Sequence, residues 1–222
     1  MPAPISVVIP TLNAAPALGP CLAALMEGVE AGLIAELVIS DGGSGDQTCT
    51  LAEAWGAHLV TGAPSRGGQL RRGCAAARGA WFLVLHADTV LSPGWTEAVA
   101  AHLGQGEAGY FRLSFDRGGR VVAGWANLRA RVFGLPYGDQ GLLIRRDLYA
   151  RVGGYADIPL MEDVAMARAL RGRLRRLDAV AFTSAEKYRQ QGWVRRGARN
   201  LWTLLRYFAG ADPAVLAAAY RR

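Results

Sequence analysis

The chain has 222 residues and a net charge of +7, from 25 Lys and Arg against 18 Asp and Glu, and 51% of it is hydrophobic. That length builds one domain, or one domain with an appendage, around a substantial core, and no apolar stretch approaches the roughly 20 residues that span a bilayer. Nearly all the cations are Arg, the side chain suited to bidentate phosphate contacts; such a balance fits nucleic acid, an anionic membrane or a phosphorylated small substrate without choosing among them.

Met1-Pro2-Ala3-Pro4 leads straight into a strand with no basic segment or apolar h-region, so no secretory signal is expected. The pattern then alternates: strand Ile5 to Ile9, helix Ala15 to about Gly28, strand Glu36 to Ser40, helix from about Gln47 to Trp55, short strand Leu59 to Thr61, helix Gln69 to Arg78 and strand Trp81 to Leu85. Ser92-Pro93 is expected to open another helix, with Ser92 at the N-cap and Pro93 at the first helical position. Strand-helix alternation with short loops predicts a parallel, right-handed βαβ sheet. After about residue 105 the rhythm changes. Gly109 to Phe115 alternates like a strand with one wetter face, Asp116-Arg117-Gly118-Gly119 is a turn, Asp139 to Arg145 holds a second apolar strand, and Glu162 to Leu170 reads as a helix. Cys21, Cys49 and Cys74 are odd in number and lack Cys-x-x-Cys spacing, which suits reduced thiols of a cytoplasmic protein.

The tail from Gly192 mixes Trp193, Val194, Leu201, Trp202, Leu204, Leu205, Tyr207 and Phe208 with Arg195, Arg196, Arg199 and Arg206. It reads either as a terminal helix docked through Leu201, Leu204, Leu205 and Phe208, or as a membrane-interface surface. A dimer surface near Trp202 is a further reading.

Two apolar runs end abruptly in aspartate: Val38-Ile39-Ser40-Asp41, continued by Gly42-Gly43-Ser44-Gly45-Asp46, and Phe82-Leu83-Val84-Leu85-His86-Ala87-Asp88. Open α/β sheets bind ligands outside the carboxyl ends of their strands, so two aspartates at such ends suggest a nucleotide and a metal. Pro10-Thr11-Leu12-Asn13 after the first strand can hydrogen-bond a base or ribose, although these are also ordinary turn residues. Asp41 suits a nucleobase N–H or a ribose hydroxyl; capping the following helix falls more naturally to Asp46. Arg66-Gly67-Gly68-Gln69-Leu70-Arg71-Arg72 joins glycines, a helix start and arginines into a diphosphate cradle, with Arg66 the first choice for phosphate. Asp88 can supply the single carboxylate with which Mg²⁺ is held against substrate phosphates, and His86, two residues back on the same face, a nitrogen better suited to Mn²⁺. Of the adjacent acids Glu162-Asp163, preceded by Gly153-Gly154-Tyr155, one is explained by the helix dipole. The pair also suits a general base, Asp163, with Glu162 positioning the acceptor or orienting Asp163.

Taken in order, Ser6-Val7-Val8-Ile9-Pro10-Thr11-Leu12-Asn13, Ser40 to Thr48, His86-Ala87-Asp88-Thr89, Gly153-Gly154-Tyr155 and Glu162-Asp163 resemble a family 2 glycosyltransferase. The resemblance implies a GT-A fold, a mostly parallel Rossmann-like α/β sheet flanked by helices, over residues 1–185. Its nucleotide-binding half would be about 1–105 and its acceptor half about 106–185, with an amphipathic helical tail over 186–222. It implies a nucleotide-sugar donor, UDP-sugar foremost, a small-molecule or lipid-linked hydroxyl acceptor, Mn²⁺ or Mg²⁺, and inversion at the anomeric carbon. The nucleotide-sugar site would comprise Pro10, Thr11, Asn13, Asp41, Ser44, Arg66, Gln69 and Asp88, the metal site Asp88 and His86, and the catalytic pair Asp163 and Glu162. Tyr137-Gly138-Asp139-Gln140-Gly141, Leu85 to Thr89 and Tyr188-Arg189-Gln190-Gln191-Gly192-Trp193 further resemble a compact bacterial subgroup associated with radical-SAM and selenium-related proteins or arsenosugar biosynthesis.

Two departures stand out. Ala14 occupies the place where the family usually has an acid, and His86-Ala87-Asp88 stands for its usual Asp-x-Asp, which favours Mn²⁺ over Mg²⁺. The missing carboxylate also fits a sugar-binding pseudoenzyme. A nucleic-acid module lacks any recognised motif, and the long transmembrane C-terminus of processive synthases is absent, so a single-transfer enzyme in the cytoplasm or at the inner face of the membrane is expected.

Overall fold

A computed structural model describes residues 3–221; Met1 and Pro2, where the leader-free start was read, and Arg222 lie outside the described residues. The first half alternates as the sequence predicts: β1 (Ile5–Thr11), α1 (Ala15–Glu30), β2 (Ile34–Asp41), α2 (Thr48–Ala54), β3 (His58–Thr61), α3 (Arg66–Ala76) and β4 (Trp81–Val84). There follow β5 (Thr89–Leu91), α4 (Trp95–Leu103), β6 (Ala108–Phe115), α5 (Arg120–Phe133), a 3-10 turn at Gly138–Gln140, β7 (Leu142–Arg145), α6 (Arg146–Arg151), α7 (Glu162–Ala169) and β8 (Leu174–Thr183). The chain closes with α8 (Glu186–Gln191), α9 (Trp193–Phe208) and α10 (Pro213–Arg221).

All eight strands form one sheet in the order β3-β2-β1-β4-β7-β6-β8-β5. The β3-β2-β1-β4 half is parallel. In the other half β7 runs antiparallel to β4 and β6, and β5 antiparallel to β8, while β6 and β8 are parallel. The apolar runs explain the parallel half, because side chains alternate across a strand and both faces are covered. Val7, Ile9, Leu83 and Leu85 join a cluster with Leu18, Leu22, Leu25, Trp95 and Val99 of α1 and α4. Val8, Phe82 and Val84 join the opposite cluster with Leu70 and Cys74 of α3 and Leu148 of α6. Each large apolar side chain so buried contributes roughly 1.5–3 kcal/mol. Trp95 is fully buried and donates its indole N–H to the Ala24 carbonyl at 3.1 Å. Gly28 makes room for that ring: a Cβ there would lie 2.6 Å from it.

Four sequence expectations are corrected. The helix does not start at Ser92-Pro93; α4 begins at Trp95 after Gly94, whose φ of 80° turns the chain, and Ser92 Oγ instead accepts the Val180 N–H at 3.1 Å. α3 begins at Arg66 rather than Gln69, because Ser65 Oγ caps it by accepting the Gly68 N–H at 3.3 Å. The segment from Asp139 is first a 3-10 turn and becomes strand only at Leu142. The tail docks through Leu204 and Leu216 against Met161 and Val164, whereas Leu201, Leu205 and Phe208 remain 42%, 51% and 46% exposed. No helix among the described residues is long and apolar enough to cross a membrane. The three cysteines are free, and burial pushes the Cys21 and Cys74 thiols up to about 12.

Candidate active site

β1 and β2 are adjacent parallel strands whose last residues, Thr11 and Asp41, stand in register. Their outgoing loops therefore open at the same sheet edge. Asp41 is 1% exposed. Its Oδ1 accepts the hydroxyls of Thr11 at 2.8 Å and Ser44 at 2.5 Å, and its Oδ2 accepts the N–H groups of Gly43 and Ser44, both at 2.7 Å. A carboxylate has about four acceptor positions, and these donors fill them. Burial alone would raise its pKa, but these donors outweigh burial and hold Asp41 below the usual carboxylate value.

Asn13 is clamped to the same loop: its N–H donates to Ser44 Oγ at 2.8 Å and its Oδ1 accepts the Gly45 N–H at 2.9 Å. Its φ of 50° is left-handed, a conformation that Asn tolerates better than most residues. Asp46 Oδ1 accepts the hydroxyl and N–H of Thr48 from the position before the Gln47 N-cap, so the expected helix cap is instead a turn that leads into α2. Gln69 is buried, and its amide N–H₂ bridges the Thr11 carbonyl at 2.7 Å and the Ser40 carbonyl at 3.1 Å, tying the two strand ends together. The result is a cleft of about 800 Å³ whose walls include Pro10, Thr11, Asn13, Arg66, Gln69, His86 and Asp88. Asp41 and Ser44 stand behind that wall and hold its shape.

A second, narrower pocket of about 140 Å³ shares Arg66, His86 and Asp88 with the cleft. Asp139 and Asp163 line it, and the tail adds Tyr188, Arg196, Asn200 and Tyr220. Asp163 is oriented at both oxygens: Oδ2 accepts the Gly138 N–H at 2.8 Å and Oδ1 accepts the Val164 N–H at 2.7 Å. Met161 precedes this pair at φ 69°, a strained conformation for a side chain of its size, and its turn sets α7 so that Glu162 points inward. Glu162 is 1% exposed, and neither of its oxygens has a hydrogen-bond partner among the described residues. Its counter-charge is Arg66, with Nε 3.4 Å from Oε1. Burial, reinforced by the charge of Asp163 and only partly offset by Arg66, pushes Glu162 up to about 7. Arg66 spans both spaces, 43% exposed, and although burial works against its charge, Glu162, Asp163 and Asp88 hold its pKa above the ordinary value.

Sequence reasoning missed Asp139. Its Oδ1 is buried without a hydrogen-bond partner among the described residues, and burial pushes it up to about 6, with Arg129 opposing and Asp163 and Asp88 adding to the rise. The Tyr137-to-Gly141 run was the available signal, but its position in the pocket follows only from the 3-10 turn. Also missed was the wall made by the tail, where Arg196 and Asn200 bond Tyr220 at 3.1 and 2.9 Å and Asn200 bonds Tyr188 at 2.9 Å. The His86 ring packs on Gly138, whose added Cβ would lie 2.4 Å from Nε2. No group of three or more His, Cys, Asp or Glu side chains converges as a metal cage among the described residues. Asp88 and His86 line the joint of the two spaces together, and between them offer one carboxylate and one imidazole. That set suits a hard cation sharing its coordination with substrate phosphates rather than an all-protein cage.

The pattern described as glycosyl transferase family 2 matches residues 6–156, more than half of the chain. The chain belongs to that family. It is 32% identical over 167 residues to PGL/p-HBAD biosynthesis glycosyltransferases of Mycobacterium bovis and Mycobacterium tuberculosis, covering 70% of this chain and 64% of theirs. The chain thus spans somewhat under two thirds of the length of the curated relatives it matches. Among solved structures, S. aureus TarS 1-349 in complex with UDP-GlcNAc superposes with a TM-score of 0.64 at 16% identity, covering 82% of this chain and 58% of that one. Glucosyl-3-phosphoglycerate synthase from Mycobacterium tuberculosis, solved with Mn²⁺ and UDP-glucose, gives a TM-score of 0.57 at 22% identity, covering 82% and 69%. The fold is GT-A, as the family predicts.

Proposed function

We propose that this glycosyltransferase moves a sugar from a uridine diphosphate donor to a hydroxyl acceptor by one direct displacement that inverts the anomeric carbon. The observation that carries the reading is the joint between the two spaces: Arg66, His86 and Asp88 belong both to the wide cleft at the β1 and β2 edge and to the narrow carboxylate-lined pocket. A donor with its nucleoside along Pro10, Thr11 and Asn13 would bring its diphosphate to that joint and its sugar to the mouth of the narrow pocket. Asp41 and Gln69 act as positioning residues that keep the nucleoside wall in place, and Ser44 supports Asn13.

Asp163, oriented by two backbone N–H groups, removes the acceptor hydroxyl proton. The acceptor oxygen bonds to C1 as the C1–phosphate bond breaks, and the electron pair leaves with the diphosphate. Glu162 fixes Arg66 at the joint, where the guanidinium meets the charge that grows on the leaving group. Asp88, with His86 the second candidate ligand, would hold a divalent cation together with diphosphate oxygens. When bound, such an ion supplies further charge neutralisation to the leaving group. The Mn²⁺ and UDP-glucose in the glucosyl-3-phosphoglycerate synthase structure support this choice of ion and base. The mycobacterial PGL/p-HBAD biosynthesis glycosyltransferases support the sugar-transfer reading, with a small-molecule or lipid-linked hydroxyl compound as the acceptor, and the compact arsenosugar-type subgroup is the finer placement proposed on residues Tyr137 to Gly141 and Tyr188 to Trp193.

The direct test incubates the protein with an α-linked UDP-sugar and follows the released or transferred sugar by NMR. A product that first appears as the β anomer fits the single displacement; a product that first appears as the α anomer contradicts it.

A further inference from the structure

The helices α5 and α9 are amphipathic the wrong way round for water. On α5 the buried positions are mostly small, Ala123, Ala126 and Ala130, while the large apolar residues point outward: Val121 is 86%, Trp125 48%, Leu128 50% and Val132 58% exposed. These four fall at i, i+4, i+7 and i+11, one continuous stripe. On α9 the inward side is Thr203 and Leu204, while Val194, Leu201, Leu205 and Phe208 form a matching outward stripe, with Trp202 beside it at 63% exposure. Trp125 and Leu201 line one groove, so the two stripes are neighbours on a single face. Neither helix contains an Asp or Glu, and both carry Arg. Arg120, Arg131 and Arg195 are exposed and form no ion pair among the described residues.

We propose that the α5–α9 face is the surface by which this protein lies on an anionic lipid bilayer. Paired apolar stripes with interfacial tryptophans and flanking arginines match the depth profile of a headgroup region, where aromatic rings sit at the boundary and cations meet lipid phosphate. A second copy of the same face would set arginine against arginine with no acid on either helix to neutralise it, so charge favours lipid over self-association. The groove shares Tyr137, Asp139, Tyr188 and Asn200 with the narrow pocket. A bilayer on this face therefore brings the acceptor end of the pocket to the headgroups, the place from which an acceptor with an apolar anchor enters. That consequence rests on the proposed acceptor side; the docking itself does not.

The test is co-sedimentation of the full chain with vesicles of phosphatidylcholine containing roughly one third phosphatidylglycerol, and with phosphatidylcholine alone. Binding to the anionic vesicles that falls with salt, a blue shift of tryptophan emission, and a loss of about tenfold or more in Leu128→Asp/Trp202→Asp are expected. Arg131→Gln/Arg195→Gln, which leaves the apolar stripes intact, is expected to lose several-fold with anionic vesicles only. Thermal stabilisation by UDP-sugar should survive in both variants, which separates failure of docking from failure of the donor reading. Absence of anionic-vesicle binding, equal binding by both variants, or a dimer in solution that Leu128→Asp/Trp202→Asp dissociates would overturn the proposal.

Discussion

Two buried carboxylates of the same chemistry sit on opposite sides of this site, and their surroundings push them in opposite directions. On the proposed donor side, Asp41 receives donors at all four of its acceptor positions and is held below the usual carboxylate range. On the proposed acceptor side, Glu162 is as deeply buried but has only a guanidinium 3.4 Å away, and rises to about 7; Asp139, with one orphaned oxygen, rises to about 6. The first arrangement builds a finished wall that needs nothing from a ligand. The second leaves charge and hydrogen-bonding capacity unspent until substrate enters. A transferase needs both, because the donor must be held in one register while the acceptor side exchanges protons and charge during the reaction.

Substitutions can break that contrast, beginning with the largest effect. Asp163→Asn keeps the side chain's size but removes the proposed base, and should lower kcat by about 10²–10⁴-fold with donor affinity nearly unchanged; steady-state kinetics alongside calorimetric titration of UDP-sugar check the split. Gly67→Ala attacks the seam between the halves. A Cβ there would lie 2.0 Å from the Ala156 carbonyl oxygen, which nothing flexible can relieve, so a loss of about 1–3 kcal/mol in urea unfolding is expected. Thr11→Val removes one of the four donors to Asp41 and leaves that oxygen short of a partner, at a cost of about 1–3 kcal/mol in stability. Its mark should be weaker donor binding with kcat little altered, the reverse of Asp163→Asn.

Glu162→Gln sharpens the contrast through pH. Between the ordinary value of 4.5 and about 7, folded Glu162 keeps a proton that the unfolded chain has released. The folded state binds more protons in that window, so this group's contribution to stability falls as pH rises through it and is constant above it. The variant has no such proton, and its Tm should fall less than the wild type's between pH 5 and 7. An identical slope in both proteins would mean that Glu162 is ionised in the fold throughout.

How far the sequence carried the reading follows from how local each signal was. β1, β2 and β4 are mostly apolar runs covered on both faces; the ends of β1 and β2 place Thr11 and Asp41, and Asp88 follows β4 by a short loop, with no tertiary knowledge. The start of α3 was harder: Arg66-Gly67-Gly68 resembles a loop by propensity, and its glycines are there because the backbone at 156–158 approaches closely, with the Gly67 N–H bonding the Ile158 carbonyl at 3.1 Å. β8 is not legible in sequence because Leu174-Arg175-Arg176-Leu177-Asp178 is polar at three of five positions, nor is α5, whose large apolar residues face outward. Asp139 is an unremarkable acid in sequence. Only burial beside Asp163 and Asp88 makes it part of the site, and burial of that kind comes from contacts distant along the chain.

The cleft at the ends of β1 and β2 is proposed to hold a nucleotide-sugar whose diphosphate reaches Asp88. The most direct measurement is thermal stabilisation of the protein by UDP-, GDP-, TDP- and ADP-sugars, with and without Mn²⁺, in wild type and Asp88→Ala. A ligand that binds only the folded state raises Tm by mass action. The expected result is a rise with the UDP-sugar that grows with Mn²⁺ and loses its Mn²⁺ dependence in Asp88→Ala. No rise with any donor, or a rise that Mn²⁺ and Asp88→Ala leave untouched, would contradict it.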